Sequence, residues 1–520
     1  MGVTRGIHRS LRVSRDALAT CCGARRCSWS EFVERIAALA GSLRELGVAK
    51  NERVAVLMLN SDRYLECYAA VAWAGCILVP LNTRWSEREL QEAVADCEPR
   101  CLIVDQEFAT LGQRIATAMG REPTLICTAA GATQGIRALD YDELIARSAP
   151  IADERASGDA IAGIFYTGGT TGAAKGVMLT HGGVTSVAMS VLAEGCFRED
   201  SVYLHAAPMF HMADGCAIYS LLTSGGASVV IPAFTPTKFF ETVQAERVTE
   251  SLLVPTMIQM LVDHPALPEF DLSSLRRVLY GASPMSEAVL DRALRRLPQV
   301  EFIQAYGMTE VSAVAVLLHA THLSGRSREL GRHRSAGRPT YGVDVRIVNP
   351  AGQELPAGEV GEVIIRSPGL MASYWRKPEE TREAVRDGWM HTGDGGYLDA
   401  DGFVYIVDRI KDMIVSGGEN VYSAEVENVI ARMPAIAQTA VIAVPSQEWG
   451  EQVHAVVVLH TGATARADEV IAFCKANLAG YKCPRSVEIR KEPLPLTGAG
   501  KIKKQALREP YWAHHSRRVS

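Results

Sequence analysis

Tyr166 to Gly176 reads YTGGTTGAAKG and follows a strand-like run, Ala162 to Phe165. Four glycines allow the backbone to turn its N–H groups inward as an anion nest, three threonines add hydroxyl donors, and Lys175 supplies a positive charge. That is the chemistry of a phosphate cradle. It is not a Walker A loop, because no glycine stands five residues before a Gly-Lys-Ser/Thr, and it lacks the GxGxxG dinucleotide pattern. Taken alone, the stretch reads equally well as a glycine-rich turn with solvating threonines. A second chemical candidate is PMFHMADG, Pro208 to Gly215, where His211 could handle a proton or line a substrate path. Asp214 stands where a helix N-cap belongs and is expected to cap, with recognition of substrate polarity as its alternative.

The elements needed to position these groups are α/β. Ser28 and Glu31 form a capping box ahead of Phe32, Ile36, Leu39, Leu43 and Leu46, the spacing of an amphipathic helix. Arg53 to Leu59 reads as a buried strand, Ser61 opens a helix through Trp73, and Cys76 to Leu81 is the next strand, so a parallel sheet follows. The alternation returns at Val229 to Ile231, Pro236 to Glu246, Leu252 to Val254, Arg277 to Leu279 and Phe302 to Ile303. Ser224, Gly225, Gly226 and Pro232 divide Gly215 to Thr237 into a helix-like piece and a strand-like one, expected to form a buried hairpin-like connection. From Val343 short strands and turns predict a small antiparallel region. After Asp408 a helix capped by Ser423, two long apolar strands, a second helix and strand Val487 to Ile489 predict a separate α+β unit of about a hundred residues.

Composition bounds the function. With 520 residues, 48% hydrophobic and 22% charged, the chain should fold as two to four domains or sub-domains. Its formal net charge of −5 gives no global basic field for a nucleic-acid backbone, so an anion must be held by local groups. The longest apolar run, Ala69 to Leu81, is too short to span a bilayer. Four arginines in the first fifteen residues are read as an exposed first helix rather than a transit peptide. Twelve scattered cysteines without paired CxxC spacing predict reduced thiols and a cytoplasmic location.

The phosphate loop resembles the nucleotide-binding signature of the adenylate-forming superfamily, which includes acyl-CoA synthetases, carrier-loading adenylation domains and luciferases. The same order of motifs continues with YGASP (Tyr280 to Pro284), AYGMTE (Ala305 to Glu310), HTGD (His391 to Asp394), DRIKDMIVSGGENVYSAEVE (Asp408 to Glu427) and LTGAGK (Leu496 to Lys501). The resemblance covers nearly the whole chain. It departs at Gly168, where the family usually has Ser or Thr, and at Ala174, where it has Pro; any metal contact from position 168 is thereby lost.

The resemblance implies attack of a carboxylate on the α-phosphate of ATP, then transfer of the acyl group to coenzyme A. It implies that Thr167, Gly168, Gly169, Thr170, Thr171, Gly172 and Lys175 hold phosphates. Gly281, Ala282, Ser283, Tyr306 and Gly307 would frame adenine, Thr309 the α-phosphate, and Asp394 and Arg409 the ribose. Glu310 would hold Mg2+. Lys501 would bridge carboxylate and α-phosphate, His211 would border the carboxylate and thiol path, and Gly417, Gly418 and Glu419 would line the CoA tunnel. Lys411 would be the hinge between an N-terminal domain, residues 1–410 with a sub-domain change near 343, and a mobile C-terminal domain, residues 411–520. Largely apolar segments, Gly215 to Leu222 and Val311 to Leu318, favour a fatty or aromatic small-molecule acid. Two other readings stay open: loading of a carrier protein in trans, and a lipid-binding protein that contacts membranes peripherally through Arg326, Arg328, Arg332 and Arg334 or through the tail Tyr511 to Arg518, although that loop is expected to be solvated and that tail frayed. A luciferase-like oxygenase has no feature of its own here, and the oligomeric state is not readable from sequence.

Overall fold

Short apolar runs between amphipathic helices assemble into two mostly parallel sheets in the computed structural model. It describes residues 1–128, 135–167, 174–283, 285–410, 412–416, 419–496 and 502–513. One sheet has eight strands in the order Ser373–Tyr374, Lys175–Thr180, Ile161–Thr167, Ile77–Pro80, Arg53–Leu57, Cys101–Val104, Thr124–Cys127 and Leu139–Asp140. Ile161–Thr167 and the strands beyond it run parallel, whereas Lys175–Thr180 returns antiparallel beside it. Strands such as Ile77–Pro80 and Cys101–Val104 are buried along their whole length, which is why they read as continuous apolar runs rather than alternating ones.

The other sheet has nine strands: Arg338–Pro339, Val316–Leu318, Glu301–Tyr306, Arg277–Gly281, Glu250–Leu253, Val202–His205, Ala227–Val230, Leu18–Cys22 and Arg25–Ser28. Its centre is parallel. One apolar core joins the facing sides of the two sheets through helices His181–Ala193 and Met212–Ser224. Ser28 and Glu31 do form a capping box, opening helix Trp29–Glu45, and Ser61 caps Asp62–Trp73. The expected antiparallel region comprises Asp344–Val348, Gly361–Arg366, Val385–Arg386, Trp389–Leu398 and Val404–Arg409. A further five-stranded sheet, Glu419–Val421, Ile414–Ser416, Gly450–Leu459, Ile436–Ser446 and Ser486–Arg490, carries its own apolar core.

Four local expectations are corrected. Gly215 to Thr237 does divide at Ser224 to Gly226 into helix and strand, but not as a hairpin: helix Met212–Ser224 turns at Gly225 in the left-handed conformation and leads to Ala227–Val230, a parallel strand. Ser423 does not cap its helix; it is the first helical residue of Ser423–Ile430, and its hydroxyl is used elsewhere. The first helix, Thr4–Val13, buries Thr4, Gly6, Ile7 and Ser10 instead of lying fully exposed. Tyr511 and Trp512 are docked rather than frayed, with Trp512 Nε1 donating to the Ala443 carbonyl at 2.9 Å.

Candidate active site at the strand ends

Gly281 closes strand Arg277–Gly281, and Tyr306 closes its parallel neighbour Glu301–Tyr306. A Cβ at Gly281 would meet the Ala305 carbonyl oxygen at 2.2 Å, and one at Gly307 would meet the Ala313 carbonyl oxygen at 2.0 Å, so both positions demand glycine. Ala282 then turns with φ +67°, a left-handed conformation costly for a residue with a Cβ. Such strain commonly marks a functional turn. The chain leaving Tyr306 tightens into the single turn Thr309–Val311, which buries Thr309 and Glu310.

Asp394 arrives from the antiparallel sheet. Strand Trp389–Leu398 pairs Asp394 with Arg409 of Val404–Arg409, and Arg409 Nε lies 2.6 Å from Asp394 Oδ1. Tyr306 donates its hydroxyl to the other oxygen, Oδ2, also at 2.6 Å. The turn ahead of Asp394 is held by Glu362, which accepts from Gly393 N–H at 3.1 Å and lies 2.8 Å from His391 Nδ1. Burial, reinforced by Asp394, pushes the Tyr306 phenol well above its ordinary range, so it remains a donor. Each carboxylate oxygen retains a second lone pair for a ligand hydroxyl.

On the other side of the cleft the structure adds a residue that sequence reading missed. Strand Ser373–Tyr374 pairs with Lys175–Thr180. Lys175 Nζ lies 5.0 Å from the centre of the Tyr374 ring, and Tyr374 donates its hydroxyl to Glu310 Oε1 at 2.8 Å. Tyr374 thereby couples the loop lysine to the candidate metal ligand. Burial, then the Glu310 charge, raise its pKa. Thr167 stands opposite Lys175 in the strand pair. Gly168, Gly169, Thr170, Thr171 and Gly172 lie outside the described residues, as do Lys411, Gly417, Gly418 and Lys501. Glu419 is described, exposed on an edge strand.

His211 immediately precedes helix Met212–Ser224, and its Nδ1 accepts from Ala213 N–H at 3.3 Å. The loop before it is pinned from a distance. Asn60 Nδ2 donates to the Ala207 carbonyl, Asn60 Oδ1 accepts from Met209 N–H, and the Tyr68 hydroxyl donates to the Met209 carbonyl. No local signal marks Asn60 or Tyr68, about 140 residues earlier in the chain. Asp214 is not a cap. It is fully buried, accepting from the Tyr203 hydroxyl at 2.9 Å and from His205 Nδ1 at 2.7 Å.

Beyond Arg409 a polar chain crosses into the last sheet's domain. Asp408 Oδ2 accepts from Ser423 Oγ at 2.7 Å and from Ser423 N–H. Lys504 Nζ donates to the same hydroxyl at 2.6 Å and pairs with Glu427 at 2.7 Å. The four arginines considered for lipid contact all face carboxylates: Arg326 with Glu329, Arg328 with Asp291, Arg332 with Asp401 and Arg334 with Glu287. Among the described residues no cluster of three or more His, Cys, Asp or Glu is arranged to hold a metal by itself, and no helix is long and apolar enough to cross a membrane.

This geometry sits within a recognisable family. Residues 7–375 match the AMP-binding enzyme family and residues 425–501 match the AMP-binding enzyme C-terminal domain. A feruloyl-CoA synthase from an Amycolatopsis species is 40% identical over 504 residues, 97% of this chain and 98% of its own length. A fatty acid–[acyl-carrier-protein] ligase from Streptomyces coeruleorubidus is 33% identical over 510 residues, 96% of this chain and 95% of its own. Among solved structures, ATP-bound MatB from Rhodopseudomonas palustris superposes with a TM-score of 0.88 at 30% identity, covering 98% of this chain and 99% of that one. The sheet architecture and the ordered motifs therefore have one common explanation: the chain belongs to the AMP-binding enzyme family.

Proposed function

We propose that this chain activates an aromatic carboxylic acid, of the aryl-propenoate kind, as an acyl-adenylate and transfers it to coenzyme A. It is an AMP-forming acid–thiol ligase that uses ATP, Mg2+ and CoA. The observation that carries the site reading is the convergence, from three sheets, of Gly281, Tyr306, Asp394 and Arg409 on one side and Lys175, Tyr374 and Glu310 on the other. The 40% identical feruloyl-CoA synthase supports the choice of acid.

In this reading Gly281 and Gly307, whose missing Cβ lets the neighbouring backbone close in, shape the turns that frame adenine, and Asp394 accepts the ribose hydroxyls while Tyr306 and Arg409 hold it in place. Lys175 and Thr167 face the phosphates, and residues 168–172 are assigned to hold them. Glu310 offers one hard oxygen donor. The absence of a three-ligand cluster among the described residues fits an ion that arrives with the triphosphate and is held largely by it. The substrate carboxylate attacks the α-phosphorus, the bond to the bridging oxygen breaks, and pyrophosphate leaves; Thr309 and Lys501 stabilise the charge that builds there. The CoA thiol then attacks the acyl carbon past His211 and AMP leaves. The thiol must reach the place Lys501 occupied. The reading therefore includes rotation of residues 411–520 about Lys411, bringing Gly417, Gly418 and Glu419 to the site.

The test is pyrophosphate release and AMP formation from purified protein, ATP and Mg2+ with a panel of aryl and fatty acids, with and without CoA. CoA-dependent turnover of an aryl acid is expected. Acid-dependent pyrophosphate release that CoA never converts to a thioester would favour a carrier protein as acceptor, the activity in the name of the Streptomyces coeruleorubidus relative.

A further inference from the structure

The Tyr203–Asp214–His205 cluster has no part in adenylation as described, yet a polar atom left in an apolar core without a hydrogen-bond partner is costly. His205 and Asp214 are each 0% exposed. Both Asp214 oxygens are engaged, one by the Tyr203 hydroxyl and one by His205 Nδ1. The carboxylate therefore fixes the imidazole tautomer with its proton on Nδ1, and leaves Nε2 as a lone-pair acceptor. Nε2, fully buried, makes no hydrogen bond among the described residues.

Register places this acceptor. Leu204 stands opposite Ser251, so His205 is level with Leu252, which is opposite Leu279, which is opposite Ile303. The three apolar residues belong to the core between the sheets, on the face covered by the helix that carries Asp214 and begins just after His211. The row lies two residues short of Gly281 and Ala305, about 7 Å below the strand ends at the extended-chain rise. That depth suits an aromatic ring with a short arm. It does not suit the nucleotide, which belongs at the ends themselves.

Resting on the ligase reading above, we propose that His205 is a specificity residue for the acid: Nε2 accepts the hydrogen bond of a phenolic hydroxyl at the end of the substrate remote from its carboxylate. Asp214 and Tyr203 position the ring. An acceptor fixed by a carboxylate rewards a hydroxyl donor and gives nothing to a bare ring or an alkyl end.

The experiment compares 4-hydroxycinnamate with cinnamate as acids for the full chain, with ATP, Mg2+ and CoA. Wild type should favour the phenol at least about tenfold in kcat/KM. His205→Leu should lower kcat/KM for the phenol about 10- to 100-fold, chiefly through KM, while leaving cinnamate unchanged or improved. His205→Gln, which keeps a polar atom at the site, should restore part of the preference, and it supplies the same ratio if the leucine variant does not fold. Equal kcat/KM for both acids in wild type, or a preference that both variants retain, would overturn the proposal while leaving the ligase reading intact. Pyrophosphate release with no acid of the panel would overturn the ligase reading, and this proposal with it.

Discussion

Replacing Lys504 by Met isolates the polar chain that ties helix Lys504–Trp512 to the strand carrying Arg409. Lys504 is half-buried, its side chain 18% exposed, between Glu427, at 2.7 Å, and Ser423 Oγ, at 2.6 Å, and Ser423 in turn holds Asp408. Glu427 also accepts from Val441 N–H at 2.7 Å. Burial disfavours the lysine's charge, but Glu427 and Asp408 outweigh it and raise its pKa. The Glu427 pKa is raised by burial despite Lys504. Removing the cation strands a mostly enclosed carboxylate; the penalty for a wholly buried one is about 3–5 kcal/mol, and the 20% exposure of the Glu427 side chain brings the expected cost below that. Glu427 escapes part of that cost by taking up a proton, so its folded pKa rises further. The sign follows: the folded variant binds a proton that the unfolded chain has already released, so its stability is retained at low pH and falls as pH rises, by up to about 1.4 kcal/mol per pH unit. Hydrogen exchange of the Ile436–Ser446 strand, which carries Val441 and docks Trp512, reads this directly. Protection should drop in the variant, more at pH 8 than at pH 6 relative to wild type at each pH. The double variant Glu427→Gln with Lys504→Met should recover much of the loss. Wild-type protection in Lys504→Met, or a deficit that shrinks as pH rises, would refute the argument.

Other perturbations read the strand-end site. Tyr306→Phe keeps the ring and deletes only the hydroxyl on Asp394; a charge-assisted bond of about 1.5–3 kcal/mol is lost, so KM for ATP should rise at least several-fold in a pyrophosphate-exchange assay with little change in KM for the acid. Gly281→Ala forces a Cβ to within 2.2 Å of the Ala305 carbonyl oxygen; it should cost about 1–3 kcal/mol of stability by thermal unfolding and abolish ATP-dependent stabilisation. Glu310→Gln should raise the Mg2+ concentration needed for half-maximal pyrophosphate release about tenfold or more, and Tyr374→Phe should do so by a smaller factor. An unchanged Mg2+ titration in Glu310→Gln would remove that residue from metal binding.

What was legible in the sequence was what local chemistry dictates. Ser28 with Glu31, Ser61 before its helix, and the four-residue apolar strands each specify their own conformation, and the glycine-rich and GxTE-like stretches announce themselves by composition. What was not legible depends on partners that only the fold brings together. Ser423 looks like a helix cap because Ser before Glu-Val-Glu suits one, yet Asp408 and Lys504 claim its hydroxyl. Asp214 looks like a cap for the same local reason, while Tyr203 and His205, on a strand that only the fold brings beneath it, take both oxygens. Tyr374 carries no motif, and only the edge pairing with Lys175–Thr180 brings it between the lysine and Glu310.

The dipeptide Asp408-Arg409 shows why such long-range contacts matter to a reaction in two stages. Arg409 faces back to Asp394 and the strand-end site, while Asp408, one residue away in an extended strand and therefore on the opposite face, holds Ser423 of the following domain. Any rotation about the residues just beyond must either carry the Asp408–Ser423 bond with it or break it, whereas the Arg409–Asp394 pair lies within one sheet and need not change. On the proposed reading the nucleotide-facing half of the site can thus persist through both half-reactions, and a net charge of −5 is no obstacle to ATP, because single cations are placed locally, Arg409 against Asp394 and Lys175 beside Tyr374.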